Sequence, residues 1–334
     1  MSLSILITGG TGSLGRAIIE KLLKINTFSR ICIYSRDEHK QEQVRELFNN
    51  DPRLRFFIGD VRDKDRLNLA FDSITHVIHC AALKIVPTLE YNPSEAIKTN
   101  VLGAQNIIDC ALDTQEKSNF QVRIMAISTD KAVKPINLYG ATKLCSEKLF
   151  IAGNNIRKQR GPKFSVARYG NVANSNGSVI PLFQRQLASA TQLTITDDRM
   201  SRFWITLDEA SDFVLRCLQS MYGGEIFVPE MSAFRVKDLA LTMMRDAGYA
   251  PEKQWCRVIG IRPGEKLYEE IITEEETSKV FYLKNHKVYI IADQEIYGIQ
   301  GADTFEKIER KSINSDNVRM MDEAELLEKL KATL

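Results

Sequence analysis

The sequence predicts an α/β protein, a doubly wound parallel sheet followed by a smaller C-terminal region. Three observations predict it. Short apolar runs rich in β-branched residues alternate with amphipathic helical patterns through the first 170 residues. The first run leads through Gly9, Gly12 and Gly15 straight into a helical pattern, the mark of a tight strand-to-helix turn. After about residue 170 the alternation loosens, and loop-forming residues run from Gly170 to Gly177.

Strand 4–8 (Ser4-Ile5-Leu6-Ile7-Thr8) is a short apolar run, as a buried strand should be. Ala17, Ile18, Leu22 and Leu23 then set a helix over 14–25. Glycines between the two let the backbone close on a pyrophosphate whose charge rests at the helix N-terminus. Gly9, Thr11, Gly12, Ser13, Leu14 and Gly15 are therefore read as a dinucleotide site. Strand 30–35 ends in Ser35-Arg36. A carboxylate there would hold the ribose hydroxyls of NAD, and an Arg accommodates the 2′-phosphate of NADP. Ser35, Arg36 and Lys40 favour NADP, while Asp37 and Glu38 keep NAD possible. A helix over 38–49, a strand at 54–58 and a helix over 63–71 follow, with Asp60 and Val61 just past the third strand. The fourth strand, 75–80, ends at Ala81-Ala82, and a helix over 94–114 carries Asn100. Strands at 121–128 and 164–168 flank a helix over 138–159. Ligands of open α/β sheets bind along these strand ends.

The run 128–143 lies on that rim and holds the densest chemistry in the chain. An acid, Asp130, stands beside an amine, Lys131, and Tyr139-x-x-x-Lys143 follows. Positions i and i+4 share a helix face. The Lys143 ammonium is thus expected to lower the Tyr139 phenol from its usual value near 10. Such a tyrosine takes a proton from an alcohol near neutral pH, and the dinucleotide supplies the hydride acceptor that alcohol oxidation needs.

Bulk properties narrow the classes. Lys and Arg total 45 against 43 Asp and Glu, a balance that gives no support for nucleic-acid or membrane-surface binding. The six cysteines are scattered without a Cys-x-x-Cys, and the four histidines form no ligand cluster, so no metal site is expected. No apolar stretch reaches the ~18 residues of a membrane span. Met1-Ser2-Leu3-Ser4 runs directly into the first strand, so no leader and a cytoplasmic location are expected. The expected organisation is a dinucleotide-binding domain over 1–170, with 203–230 returning to it as a strand and helix. Residues 171–202, which include a helix over 178–190, and 231–287 form a substrate-binding region, and 288–334 form a tail ending in a helix over 322–333.

These motifs resemble the extended short-chain dehydrogenase/reductases, which carry the Rossmann fold. Within them the chain is similar to the inverting UDP-N-acetylglucosamine 4,6-dehydratases of pseudaminic acid biosynthesis, as in flagellin glycosylation. The resembling stretches are Ile7 to Gly15, Tyr34 to Glu38, Phe57 to Asp63, Ala81 to Lys84, Ser128 to Ala132, Arg168 to Val172, Arg202 to Thr206 and Ile261 to Lys266. The glycine loop and Tyr-x-x-x-Lys are generic; Asp130-Lys131 and the Arg-Pro-Gly-Glu-Lys run are more specific. Retaining relatives carry Met where this chain has Tyr139, and many dTDP- or GDP-hexose dehydratases carry Asp-Glu where it has Asp130-Lys131.

The resemblance implies that NADP is tightly bound and regenerated, with Lys84, Asn100 and Asn171 also at the cofactor. It implies that Lys84, Asn171, Arg199, Arg202, Arg262 and Glu265 line the nucleotide-sugar site. It also implies a homo-oligomer, dimer to hexamer. The expected chemistry follows from C4 oxidation, which makes C5–H acidic. Tyr139 takes the C4 hydroxyl proton, Thr129 bonds the C4 oxygen, and Lys143 orients the nicotinamide ribose. Lys131, with its pKa depressed by burial, removes the C5 proton, and a protonated Asp130 protonates the leaving C6 hydroxyl. A retaining dehydratase, a UDP-sugar 4-epimerase and a dinucleotide-binding module without catalysis are the alternatives.

Overall fold

The computed structural model describes residues 2–156, 160–175, 178–249, 256–292, 305–307 and 312–333. At its centre lie seven parallel strands: β1 (Ser4–Thr8), β2 (Arg30–Ser35), β3 (Leu54–Ile58), β4 (His76–His79), β5 (Arg123–Thr129), β6 (Lys163–Tyr169) and β7 (Ile226–Pro229). Three antiparallel strands extend the β7 edge: β8 (Val280–Leu283), β9 (Val288–Ile291) and β10 (Phe305–Lys307). The sheet order is β10-β8-β9-β7-β6-β5-β4-β1-β2-β3. Every residue of β1 is buried, which requires helices on both faces.

The helices are, in chain order, α1 (Ser13–Ile25), α2 (Glu38–Leu47), α3 (Lys64–Ala70), α4 (Val86–Tyr91), α5 (Pro93–Ala96), α6 (Gly103–Glu116), α7 (Leu138–Gly153), α8 (Val179–Ala188), α9 (Leu207–Ser220), α10 (Val236–Asp246) and α11 (Glu323–Thr333). A π turn, Ile97–Leu102, joins α5 to α6. Local chemistry starts several of them: Asp37 accepts from Lys40 N, Asp63 from Arg66 N and Asn137 from Gly140 N. Strand order reverses between β1 and β4, so the loops after these strands open the crevice that binds ligands in such sheets.

A second, smaller core lies beside the sheet, with Ile180, Phe183, Trp204, Phe234, Leu239, Met243, Leu326 and Leu330 buried together. Here the structure departs from the sequence reading. The stretch near 203 does not join the sheet, because Ser201–Phe203 pairs with Ala233–Arg235 in a two-stranded antiparallel ribbon. What returns is α9, held to α1 by Lys21 between Asp208 and Asp212, followed by β7. The boundary drawn between 287 and 288 cuts a hairpin. Two apolar runs, Val280–Leu283 and Val288–Ile291, pair across a turn in which Lys287 takes the left-handed conformation. The tail is likewise not one unit, since α11 packs into the smaller core. The helix read over 138–159 ends at Gly153, and 157–159 lie outside the described residues.

Candidate active site

The glycine loop is built to be close and open at once. Gly9 has φ +68°, and a Cβ there would stand 2.9 Å from the backbone of Ala81 at the end of β4. A Cβ on Gly15 would lie 2.5 Å from the Gly10 backbone, so α1 can pack this close to the loop only with glycine at 15. Gly12 caps α1 without a side-chain hydrogen bond, and no acid occupies the first turn. The first N–H groups of α1 are thus left for an anion. The residues fit a dinucleotide pyrophosphate.

At the end of β2 the groups sort by charge. The Ser35 hydroxyl accepts from Gln41, and Asp37 Oδ1 accepts from Lys40 N at the start of α2. Lys40 and Arg36 stand at the same corner, Lys40 3.5 Å from Asp37 and Arg36 3.8 Å from Asp60. Asp60 is held by three hydrogen bonds from Arg62, and Val61 is buried against Gly103. Asn100, in the π turn, bonds both backbone polar groups of Leu83 at 2.8 and 2.9 Å and the Thr142 hydroxyl at 3.0 Å. Its amide therefore shapes the Ala81-Ala82-Leu83-Lys84 loop.

The catalytic run converges at the ends of β5 and α7. Thr129 donates to Asp130 Oδ1 at 2.8 Å, and Lys131 Nζ lies 3.1 Å from the same oxygen. A residue the sequence reading missed completes the cluster: Glu269 Oε1 stands 3.5 Å from Lys131 Nζ. Its signal was faint, a carboxylate three positions after the Arg262-to-Lys266 run. Among the described residues, the buried second oxygens of Asp130 and Glu269 have no hydrogen-bond partner, nor have Ser128 Oγ and Asn171 Oδ1. Buried polar atoms are rarely left so, and a polar ligand beside them would supply the partners they lack.

Burial pushes the Asp130 carboxyl up; Lys131 opposes this and the Glu269 charge adds to it. This is the direction a general acid needs. Lys131 departs from the expectation. Burial works against its charge, but Asp130 and Glu269 outweigh that and hold the ammonium above its ordinary range. Tyr139 also corrects the sequence reading. Burial raises its phenol, and the cation that pulls it down is Lys131, helped by a hydrogen bond with Thr129. Lys143 instead donates to Ile127 O at 2.7 Å, and desolvation brings its ammonium down to about 8.

Gly140 brings the two halves of the run together. A Cβ there would lie 2.1 Å from the Lys131 carbonyl oxygen. Gly140→Ala should therefore lower kcat at least tenfold, despite the ~1 kcal/mol by which alanine favours a helix. Parallel turnover and melting curves check this, and wild-type kcat would sink it.

The Arg-Pro-Gly-Glu-Lys loop is stitched to this run. Asn137 donates to Gly264 O at 2.8 Å, and Lys266 Nζ donates to Val133 O at 2.7 Å. The arginines expected to line the nucleotide-sugar site have protein partners of their own. Arg199 is exposed and forks onto Asp197, and Arg262 pairs loosely with Glu265 at 3.8 Å. Arg202 is largely buried, giving its N–H groups to the carbonyls of Ser201, Lys266 and Leu267, so it holds the loop. Lys84 is drawn down by desolvation and by the Lys131 charge, which places it beside the cluster.

A dinucleotide loop, a Tyr-Lys helix and an acid–amine–acid cluster thus meet on one rim. The polysaccharide biosynthesis protein family matches residues 5–292. The chain belongs to this family. Its doubly wound sheet shares its fold with DesIV (dTDP-glucose 4,6-dehydratase) from Streptomyces venezuelae, which superposes with a TM-score of 0.69 over 79% of this chain and 87% of that one, at 23% identity. The chain is 46% identical, over 85% of its length and 81% of the relative's, to the inverting UDP-N-acetylglucosamine 4,6-dehydratase of Campylobacter jejuni strain 81-176. It is 42% identical, over the same shares, to the UDP-glucose 4-epimerase of Rickettsia massiliae. The X-ray structure of Pen from Bacillus thuringiensis superposes with a TM-score of 0.89 at 32% identity, covering 99% of this chain and 98% of that one. Among the described residues no group of His, Cys, Asp and Glu is arranged to hold a metal, and no helix is long and apolar enough to cross a membrane.

Proposed function

We propose that the protein is a 5-inverting UDP-N-acetylglucosamine 4,6-dehydratase that uses NADP and yields UDP-2-acetamido-2,6-dideoxy-L-arabino-hexos-4-ulose. The observation that carries this reading is the buried Asp130–Lys131–Glu269 cluster beside Tyr139. An epimerase moves one hydride and has no use for an acid and a base at C5 and C6. Gly9 to Gly15, Arg36, Lys40 and Asp60 would hold the cofactor, which supplies a hydride acceptor at C4 and a hydride donor at C6. Tyr139 takes the C4 hydroxyl proton while Thr129 holds the oxygen. Lys131 removes the C5 proton, and Asp130 protonates the departing C6 hydroxyl. Inversion rests on Tyr139 standing where retaining relatives carry Met. A homo-oligomer, dimer to hexamer, in the cytoplasm belongs to the same proposal.

An NMR time course with UDP-N-acetylglucosamine tests it. Loss of one water with inverted C5 is expected; C4 epimerisation without dehydration would favour the epimerase reading suggested by the Rickettsia relatives. For the cofactor, Arg36→Ala should cut the preference for NADP over NAD about tenfold or more. The ratio of the two dissociation constants checks this, and an unchanged ratio removes Arg36 from the site.

A further inference from the structure

Glu269 is a costly residue to bury. It is 3% exposed, on a loop that must be held down from several sides. Its backbone N–H donates to Ser315 Oγ at 3.0 Å, its carbonyl accepts from Ser315 N at 2.8 Å, and Ser315 Oγ also reaches Ser201. Ser315 belongs to the C-terminal segment, for which the sequence reading found no function. The carboxylate held there faces Lys131 at 3.5 Å and Arg202 at 3.9 Å. Lys266 acts on it from the loop, and Asp130 lies across Lys131 from it. A buried carboxylate that only neutralised Arg202 would not need to lean on the Lys131 ammonium.

We propose that Glu269 is a positioning residue for the dehydration step, holding the Lys131 head group against Asp130 and setting the pH range in which that pair shares one proton. The proposal rests on the dehydratase reading. Asp130 and Lys131 work only with one proton between them: two leave no base, and none leaves no acid. In the productive form the proton is on Asp130 and Lys131 is neutral. The C5–H bond breaks and its proton goes to Lys131 Nζ. The Asp130 O–H bond breaks and its proton leaves with the C6 oxygen as water. The electron pair from C5 forms the C5–C6 double bond. The pair ends with the proton on Lys131 and Asp130 ionised, so its net charge is unchanged. Glu269, ionised throughout, stabilises the ammonium that the step forms on Lys131.

The sign of the pH effect follows. A negative charge near both groups raises the affinity of each for a proton. Removing it lowers both, so the bell-shaped profile of kcat moves to lower pH as a whole. Glu269→Gln is expected to shift both limbs acidward by roughly one unit or more, with KM for UDP-N-acetylglucosamine within about twofold of wild type. Glu269→Asp keeps the charge one methylene further off and should fall between. The experiment is the kcat profile of wild type and both variants on UDP-N-acetylglucosamine, with melting curves alongside. A wild type that forms no dehydrated product overturns the dehydratase reading and this proposal with it. A productive wild type with an unshifted Gln profile, whatever its height, overturns the role of Glu269 alone. Should the Gln variant fail to fold, the Asp variant decides, and an unmoved bell overturns the proposal.

Discussion

Lys131→Ala is expected to reduce dehydration of UDP-N-acetylglucosamine by 10²–10⁴-fold, the usual worth of a general base. The loss should fall on kcat rather than KM, because Lys131 acts on the C5 proton rather than anchoring the nucleotide. The substitution also removes the cation that draws the Tyr139 phenol down. C4 oxidation should therefore slow as well, though less than elimination. Two measurements separate the steps: formation of the dehydrated product by NMR, and single-turnover reduction of bound cofactor by absorbance. Retained dehydration would remove Lys131 from the mechanism. A silent first step with full cofactor binding would show that its main service is to Tyr139.

Arg168→Met is expected to cost about 3–5 kcal/mol of stability, the penalty for breaking a buried ion pair. Arg168 is 1% exposed and places all five of its N–H groups. It forks onto Glu147 at 2.7 and 3.0 Å, onto Glu276 at 3.0 Å twice, and reaches Ile271 O at 3.0 Å. It thereby ties β6, α7 and the segment after Glu269 into one block. Methionine fills much of the volume but leaves two carboxylates facing each other out of water. The melting temperature should fall on the order of 10 °C, and denaturant unfolding gives the free energy. Adding Glu147→Gln should recover part of the loss, since it removes one of the stranded charges. A melting curve unmoved by Arg168→Met would mean that the block is held by packing alone.

The readable part of this protein was the part whose partners are neighbours in sequence. Gly9 to Gly15 act on one turn, Asp130 and Lys131 are adjacent, and Tyr139 and Lys143 share one helix. Six of the parallel strands were legible to within two residues at either end, because buried strands are continuous apolar runs. Even some local pairings passed unnoticed: Asp197 two positions before Arg199, and Glu265 three after Arg262, engage cations expected to line the nucleotide-sugar site.

The sequence by itself determined the doubly wound sheet, the glycine loop and the candidates proposed here as reacting groups, since each depends on spacing along the chain. Only the tertiary structure decided their charge states. Asp130, joined by Glu269 from a distant loop, outweighs burial and turns the Lys131 shift upward; Lys143 bonds to β5 and leaves Tyr139 to a different lysine. A pKa is set by every charge within a few ångströms and by exclusion of water, and both are properties of the packed molecule.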